Sequence, residues 1–81
     1  MTRTFTAVIT NEEDGFVALC PEFDIASQGE TVREARSNLA EAVELFLETA
    51  SPTEVKQRLS SEVYVTQIEV AVGLAQGNER P

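Results

Sequence analysis

Carboxylates are the side chains most able to carry chemistry in this chain, because acidic residues outnumber basic ones by 14 to 6 and give a net charge of −8. The densest group is the run Glu12-Glu13-Asp14. Such runs can bind divalent cations, yet the alternating ligands and the distal glutamate of an EF-hand loop are missing. The run therefore predicts either a solvated hairpin loop or a contact for a basic partner.

The composition excludes most routes to nucleophilic catalysis. The 81 residues include no histidine, so a Ser-His-Asp triad, a Cys-His pair and histidine metal ligands are all absent. The single cysteine, Cys20, has no activating base and is predicted to be a buried core residue. It has no second cysteine for an internal disulfide. We therefore expect no enzyme activity, no metal and no cofactor.

Charge and hydropathy indicate which surroundings the chain suits. No apolar run approaches the roughly 18–20 residues of a membrane-spanning helix, and the start at Met1 lacks the apolar core of a signal peptide. Binding to nucleic acid requires basic side chains against phosphates, which an excess of acids opposes. We expect a cytoplasmic protein that contacts neither membranes nor nucleic acid directly.

Four strands are predicted from local patterns. Apolar residues alternate with threonines over 4–10, and 16–20 is apolar on both faces. Asp14-Gly15 predicts the hairpin turn between these two segments. We expect a short third strand over 24–27 and a fourth over 62–72, which is rich in β-branched residues.

A long helix is predicted after Thr31, which forms a capping box with Glu34. Apolar residues then recur at a spacing of three or four and form one stripe. They are Val32, Ala35, Leu39, Ala42, Val43, Phe46 and Ala50. Ser51-Pro52 ends this helix, and 53–59 predicts a short second helix or a turn. Residues 1–73 are expected to form one domain, and 74–81 a flexible tail.

The resulting order, β-β-β-α-(α)-β, predicts an α+β fold in which one long helix covers one face of a mostly antiparallel sheet. The opposite face is left open, and Val8, Val17 or Leu19, and Val63 or Val65 indicate that it is not wholly polar. We expect this face or an edge strand to meet another copy of the chain, giving a homodimer or a higher homo-oligomer.

Several short motifs occur in a fixed order along residues 4 to about 50. They are Cys20-Pro21-Glu22, Gln28-Gly29-Glu30-Thr31, Glu34-Ala35 and Asn38-Leu39-Ala40-Glu41-Ala42. In this order they resemble the HicB-type antitoxin family. The resemblance implies a truncated RNase H-like β-β-β-α-β domain that binds and blocks a small basic HicA-type toxin, an mRNA-cleaving protein. Many members add a DNA-binding module. Because nine residues follow Val72, we expect no such module and no promoter binding here.

A basic partner is expected to contact the β portion, since residues 1–30 carry six acids against Arg3. The predicted contacts comprise the acids beside the third strand, the acids of the hairpin and two large side chains. They are Glu22, Asp24, Glu30, Glu12, Glu13, Asp14, Phe23 and Leu45. Phe23 is predicted to be either an aromatic anchor or a residue that closes the edge of the core. Leu45 is predicted to be either an ordinary exposed leucine or a partner contact.

These observations admit three functions. The leading hypothesis is an antitoxin-like inhibitor that occludes the active surface of a basic RNA-cleaving toxin. The alternative is an orphan structural or regulatory module that self-associates without a toxin partner. An RNase H-like fold also admits a metal-dependent nuclease. However, residues 4–10 hold no carboxylate, and Glu41, Glu44 and Glu48 lie opposite the apolar stripe of the helix.

Overall fold

The computed structural model describes residues 2–60 and 62–73. Three strands are followed by two helices: β1 (Val8–Glu12), β2 (Gly15–Cys20), β3 (Ile25–Gly29), α1 (Val32–Thr49) and α2 (Pro52–Leu59). The strands form an antiparallel sheet in the order β1-β2-β3, and α1 packs on one face of it, mainly against β3 and β2. The α+β class with one long helix on the sheet is confirmed. The predicted tail, 74–81, lies outside the described residues.

The start of β1 differs from the prediction. This strand begins at Val8, not at Thr4, and Val8 lies opposite Leu19 in β2. Because β2 ends at Cys20, just before Pro21, the residues that precede Ala7 have no strand opposite them. β3 is also longer than predicted and continues to Gly29.

The predicted fourth strand is wrong for the single chain. Residues 62–73, which we name the C-terminal arm, form neither helix nor strand, and every one of them is exposed. The sequence pattern is typical of a strand, but a strand also requires hydrogen bonds to a neighbour, and the body supplies none to the arm within the described residues. The radius of gyration is 17.0 Å, against about 12 Å for a compact chain of this length.

The core lies between α1 and the sheet and centres on Phe23. Its buried residues are Ala18, Cys20, Phe23, Ala35, Leu39 and Val43. The Phe23 ring lies 4.9 Å from that of Phe5 and 5.2 Å from that of Phe46. Aromatic pairs of this kind add about 0.5–1.5 kcal/mol to the stabilisation from burial. Val32, at the start of α1, is 49% exposed and lies outside the core, although it belongs to the predicted stripe.

Both helices are capped at their N-termini, and together with the sheet they form what we name the body. The Glu34 amide donates to Thr31 Oγ1 at 3.0 Å, so α1 begins where the sequence indicates. The Glu54 amide donates to Ser51 Oγ at 3.1 Å, so α2 begins at Pro52, one residue before the predicted segment 53–59. Arg58 fixes α2 to the core, since its guanidinium donates to the Phe23 carbonyl oxygen and lies 5.0 Å from the Phe46 ring centroid. Within the described part of the chain, no helix has the length and apolar character needed to cross a membrane.

Candidate partner-binding surface

An open groove of about 670 Å³ lies at one end of the sheet, between the β1–β2 turn, the end of β3 and the start of α1. Two glycines allow these segments to meet. A Cβ on Gly15 would lie 2.6 Å from the Gly29 carbonyl oxygen, and a Cβ on Gly29 would lie 2.5 Å from the Ala35 backbone nitrogen. Gly15 also has a φ of 149°, a conformation that other residues rarely adopt. Larger residues at either position would force the walls of the groove apart.

Five carboxylates line this groove, and none of its lining residues is basic. The acidic residues are Glu12, Glu13, Asp14, Glu30 and Glu34, and all five are exposed. We name this feature the acidic groove. Carboxylates concentrated in a concave surface create a negative potential that attracts cationic side chains and steers a basic partner towards it. The structure thus brings together the predicted hairpin acids and the predicted Glu30.

Glu34 and Asn38 also line the groove, although neither was among the predicted contacts. The Glu34 carboxylate accepts a hydrogen bond from the Glu30 amide at 2.5 Å, and the Asn38 side-chain amide donates to the Gln28 carbonyl oxygen at 2.7 Å. Both bonds hold the start of α1 against the end of β3. The capping box identified Glu34 only as a cap. The short connection from β3 to α1 is the sequence signal that could have placed Glu34 beside Glu30.

Glu22 and Asp24 lie at the opposite end of the sheet, in the turn between β2 and β3, so they do not form a cluster with Glu30. The Glu22 carboxylate accepts from the Thr6 amide at 3.0 Å and from Thr6 Oγ1 at 2.7 Å. Partial burial raises the pKa of this carboxyl, but the hydrogen bonds from Thr6 outweigh that effect and hold the pKa below its ordinary value. Glu22 therefore ties the segment before β1 to the turn.

The structure corrects the expectation that Phe23 anchors a partner. Its side chain is 0% exposed and lies in the core, which is the other role that the sequence allowed. Asp24, which follows it, is exposed and has a φ of 55°, a left-handed conformation that suits a tight turn. Leu45 is 60% exposed on α1, so its surface position matches the prediction, and a contact there remains a prediction.

Cys20 is a core residue, as predicted. It is 1% exposed, and burial is the main cause that raises the pKa of its thiol, which keeps the sulfur protonated. Its Sγ lies 3.5 Å from Glu22 Oε1. Among residues 2–60 and 62–73, no three or more histidine, cysteine, aspartate or glutamate side chains form a group that could hold a metal ion. The acidic groove, open and lined by exposed carboxylates, suits cationic side chains of another protein.

Comparison with known proteins adds one relative. The chain is 42% identical over 50 residues to the UPF0150 protein ssl0738 of Synechocystis sp., and the match covers 59% of this chain and 69% of the relative. No protein-family model matches the chain, and no solved structure matches it. The name of the relative states no activity, substrate or partner.

Proposed function

This chain belongs to the UPF0150 family, and we propose that it is a HicB-like antitoxin domain, a non-enzymatic protein that binds a small basic HicA-type toxin and occludes its RNA-cleaving surface. The observation that carries the proposal is the acidic groove, in which five exposed carboxylates gather and no lining residue is basic. The ordered HicB-type motifs support the same function. The proposal also includes a relationship between this sheet and the RNase H fold.

The mechanism follows from the chemistry of RNA recognition. A protein that cleaves RNA must hold phosphates with cationic side chains. Carboxylates at the same cations compete with RNA, and the antitoxin body then covers the surface that RNA would use. Exposed charges mainly raise the association rate and the specificity, and salt screens them over about 8–10 Å. We therefore expect the complex to form more slowly at high ionic strength.

Co-expression with a short basic HicA-type protein, sought in the reading frames beside this gene, tests the proposal. We expect the two proteins to co-purify. The triple variant Glu12→Gln, Glu13→Gln, Asp14→Asn removes three charges from the acidic groove and is expected to weaken binding by at least about fivefold. The matched control, Glu41→Gln, Glu44→Gln, Glu48→Gln, removes three charges from exposed positions on α1 and is expected to change binding less than twofold.

Two outcomes would contradict the proposal. One is failure of the basic protein to co-purify with the unmodified chain. The other is equal weakening by both triple variants, because net charge alone would then explain the effect and the acidic groove would have no special part in binding.

A second candidate function is a self-associating structural or regulatory module without a toxin partner. The observation that favours it is exposed apolar surface on the face of the sheet opposite α1. On the open face of the sheet, Val8 is 41% exposed, and Val17 and Leu19 are partly exposed. A stable homo-oligomer combined with no binding to the basic neighbour would favour this function over the first.

A further inference from the structure

We propose that the C-terminal arm of one chain adds as a fourth strand to the β1 edge of a second copy, so that two chains exchange arms reciprocally. The arm is residues 62–73, all exposed and free of helix or strand in the single chain. This inference concerns self-association and does not depend on toxin binding. It identifies the surface through which the protein forms a dimer.

The arm has the pattern of a strand with one apolar face. Side chains at even positions share one face because strand residues alternate. That face holds Tyr64, Ile68, Val70 and Val72, which are 70–81% exposed. The other face carries Val63, Val65 and Ala71 towards its ends and the polar Gln67 and Glu69 at its centre, so it is the less apolar of the two. Such a stripe left in water is unfavourable, and an edge strand with apolar residues on the same face can cover it.

The two edges of the sheet differ in what already occupies them. At the β3 edge, α1 approaches most closely, and the Asn38 side chain donates to the Gln28 carbonyl oxygen at 2.7 Å. This bond uses an acceptor that an added strand would need. The β1 edge has little contact with α1, and its Ile9, which faces the helix side with Ala18, is only partly buried. An added strand therefore fits at β1, with its apolar face beside Ile9.

The occupant of that edge is a second copy for two reasons. Within the described residues, no backbone hydrogen bond joins the arm to its own sheet, and the molecule extends over 54 Å although the sheet and helices are small. In addition, α2 is held by Arg58 at the Phe23 carbonyl, which fixes where the arm leaves the body. A second copy offers an open β1 edge and receives an arm in return, which closes a symmetric dimer.

Sedimentation velocity with matched charge variants tests the apolar face of the arm. Ile68→Glu and Gln67→Glu each add one negative charge at adjacent, exposed positions of the arm. We expect the unmodified chain to be a dimer at high micromolar concentration. Ile68→Glu is expected to raise the dimer dissociation constant at least tenfold, and Gln67→Glu less than threefold. A monomeric unmodified chain, or equal weakening by both variants, would overturn the proposal.

Disulfide trapping identifies the edge and distinguishes exchange from pairing within one chain. Thr10 lies on the face of β1 opposite Ile9, so odd-numbered arm residues are expected beside it. Full-length variants combine Thr10→Cys with Val65→Cys, Gln67→Cys or Glu69→Cys, and Thr10→Cys with Thr66→Cys is the control on the wrong face. Native Cys20 is 1% exposed and offers no surface thiol.

The products are read on a denaturing gel without reductant after oxidation. Arm exchange predicts a covalent dimer for at least one odd-numbered pair and at least fivefold less for the Thr66 control. An internal disulfide in a monomer would show that the arm pairs with its own β1. Absence of any cross-link, or equal cross-linking of the control, would also overturn the proposal.

Discussion

Gly29 is the point where α1 approaches the sheet most closely, and one added methyl group there is expected to separate the two layers. In Gly29→Ala, the new Cβ would lie 2.5 Å from the Ala35 backbone nitrogen and 2.8 Å from the Glu34 carbonyl carbon. Ordinary contact begins at 3.4 Å, so the first turn of α1 would have to retreat by about 0.9 Å. Both neighbours are backbone atoms of a helix, which cannot rotate away as a side chain can.

The expected cost is about 2 kcal/mol, within the range of about 1–3 kcal/mol for an overpacked site. The retreat of α1 would also stretch the bond from Asn38 to the Gln28 carbonyl oxygen. A chain of this size has a total stability of about 4–12 kcal/mol. A loss of 2 kcal/mol would therefore be a substantial fraction of the stability, and it would lower the melting temperature by about 8–16 °C.

Urea unfolding followed by circular dichroism at 222 nm measures this loss, because the chain has no tryptophan and its single tyrosine lies in the arm. Gly73→Ala is the matched control, since a Cβ at Gly73 would meet nothing within 4 Å. Both substitutions restrict the unfolded chain similarly, so their difference isolates the clash. Both are compared at one protein concentration. Equal stability of the two variants, within about 0.3 kcal/mol, would refute the reasoning.

Three further predictions follow from the core, the turn and α2. Phe23→Ala is expected to lose about 3–5 kcal/mol of unfolding free energy, whereas exposed Leu45→Ala loses less than about 0.5 kcal/mol; similar losses in urea titrations would be inconsistent with a buried Phe23. Because folding lowers the pKa of Glu22, its ionised carboxylate stabilises the fold at pH values above the ordinary glutamate pKa. This stabilisation disappears as the pH falls through the pKa that Glu22 has in the folded state. Glu22→Gln is therefore expected to cost about 1–2 kcal/mol at pH 7 and progressively less as the pH falls through the folded pKa of Glu22, and a cost independent of pH would count against the Thr6 contact. Arg58→Gln removes the bond to the Phe23 carbonyl and the contact with Phe46, so amide exchange in α2 is expected to accelerate at least about fivefold relative to α1; unchanged exchange in α2 would mean that other contacts hold this helix.

Local signals predicted the helices well and the strand boundaries less well. Thr31 accepts the capping bond that its sequence context indicates, so the start of α1 follows from nearby residues. Ser51 caps α2 in the same way, and this helix begins one residue before the predicted segment. The alternation over 4–10 is the same whether or not a neighbouring strand lies opposite. The end of β2 at Cys20 is what leaves the first part of that segment unpaired, and Thr6 binds Glu22 instead.

Predicting the site requires the order in which the strands are connected as well as the residue types. In an antiparallel meander, successive turns lie at opposite ends of the sheet. Glu22 therefore lies far along the strands from Glu30, while Glu13 lies near Glu30. Phe23 lies in a turn between two acids, Glu22 and Asp24, a context that is typical of an exposed residue. The left-handed conformation of Asp24 and the packing of Phe5 and Phe46 place it in the core, and such long-range contacts leave no local signal.

The central claim is that the acidic groove neutralises a basic RNA-cleaving protein. The most direct measurement is a titration of RNA cleavage by a basic HicA-type protein, sought in the reading frames beside this gene, with this chain added in increasing amounts. We predict that cleavage stops near equimolar addition, and that the Glu12→Gln, Glu13→Gln, Asp14→Asn variant needs at least about fivefold more protein than the α1 control variant. Cleavage that continues unchanged in excess of the unmodified chain would contradict the claim.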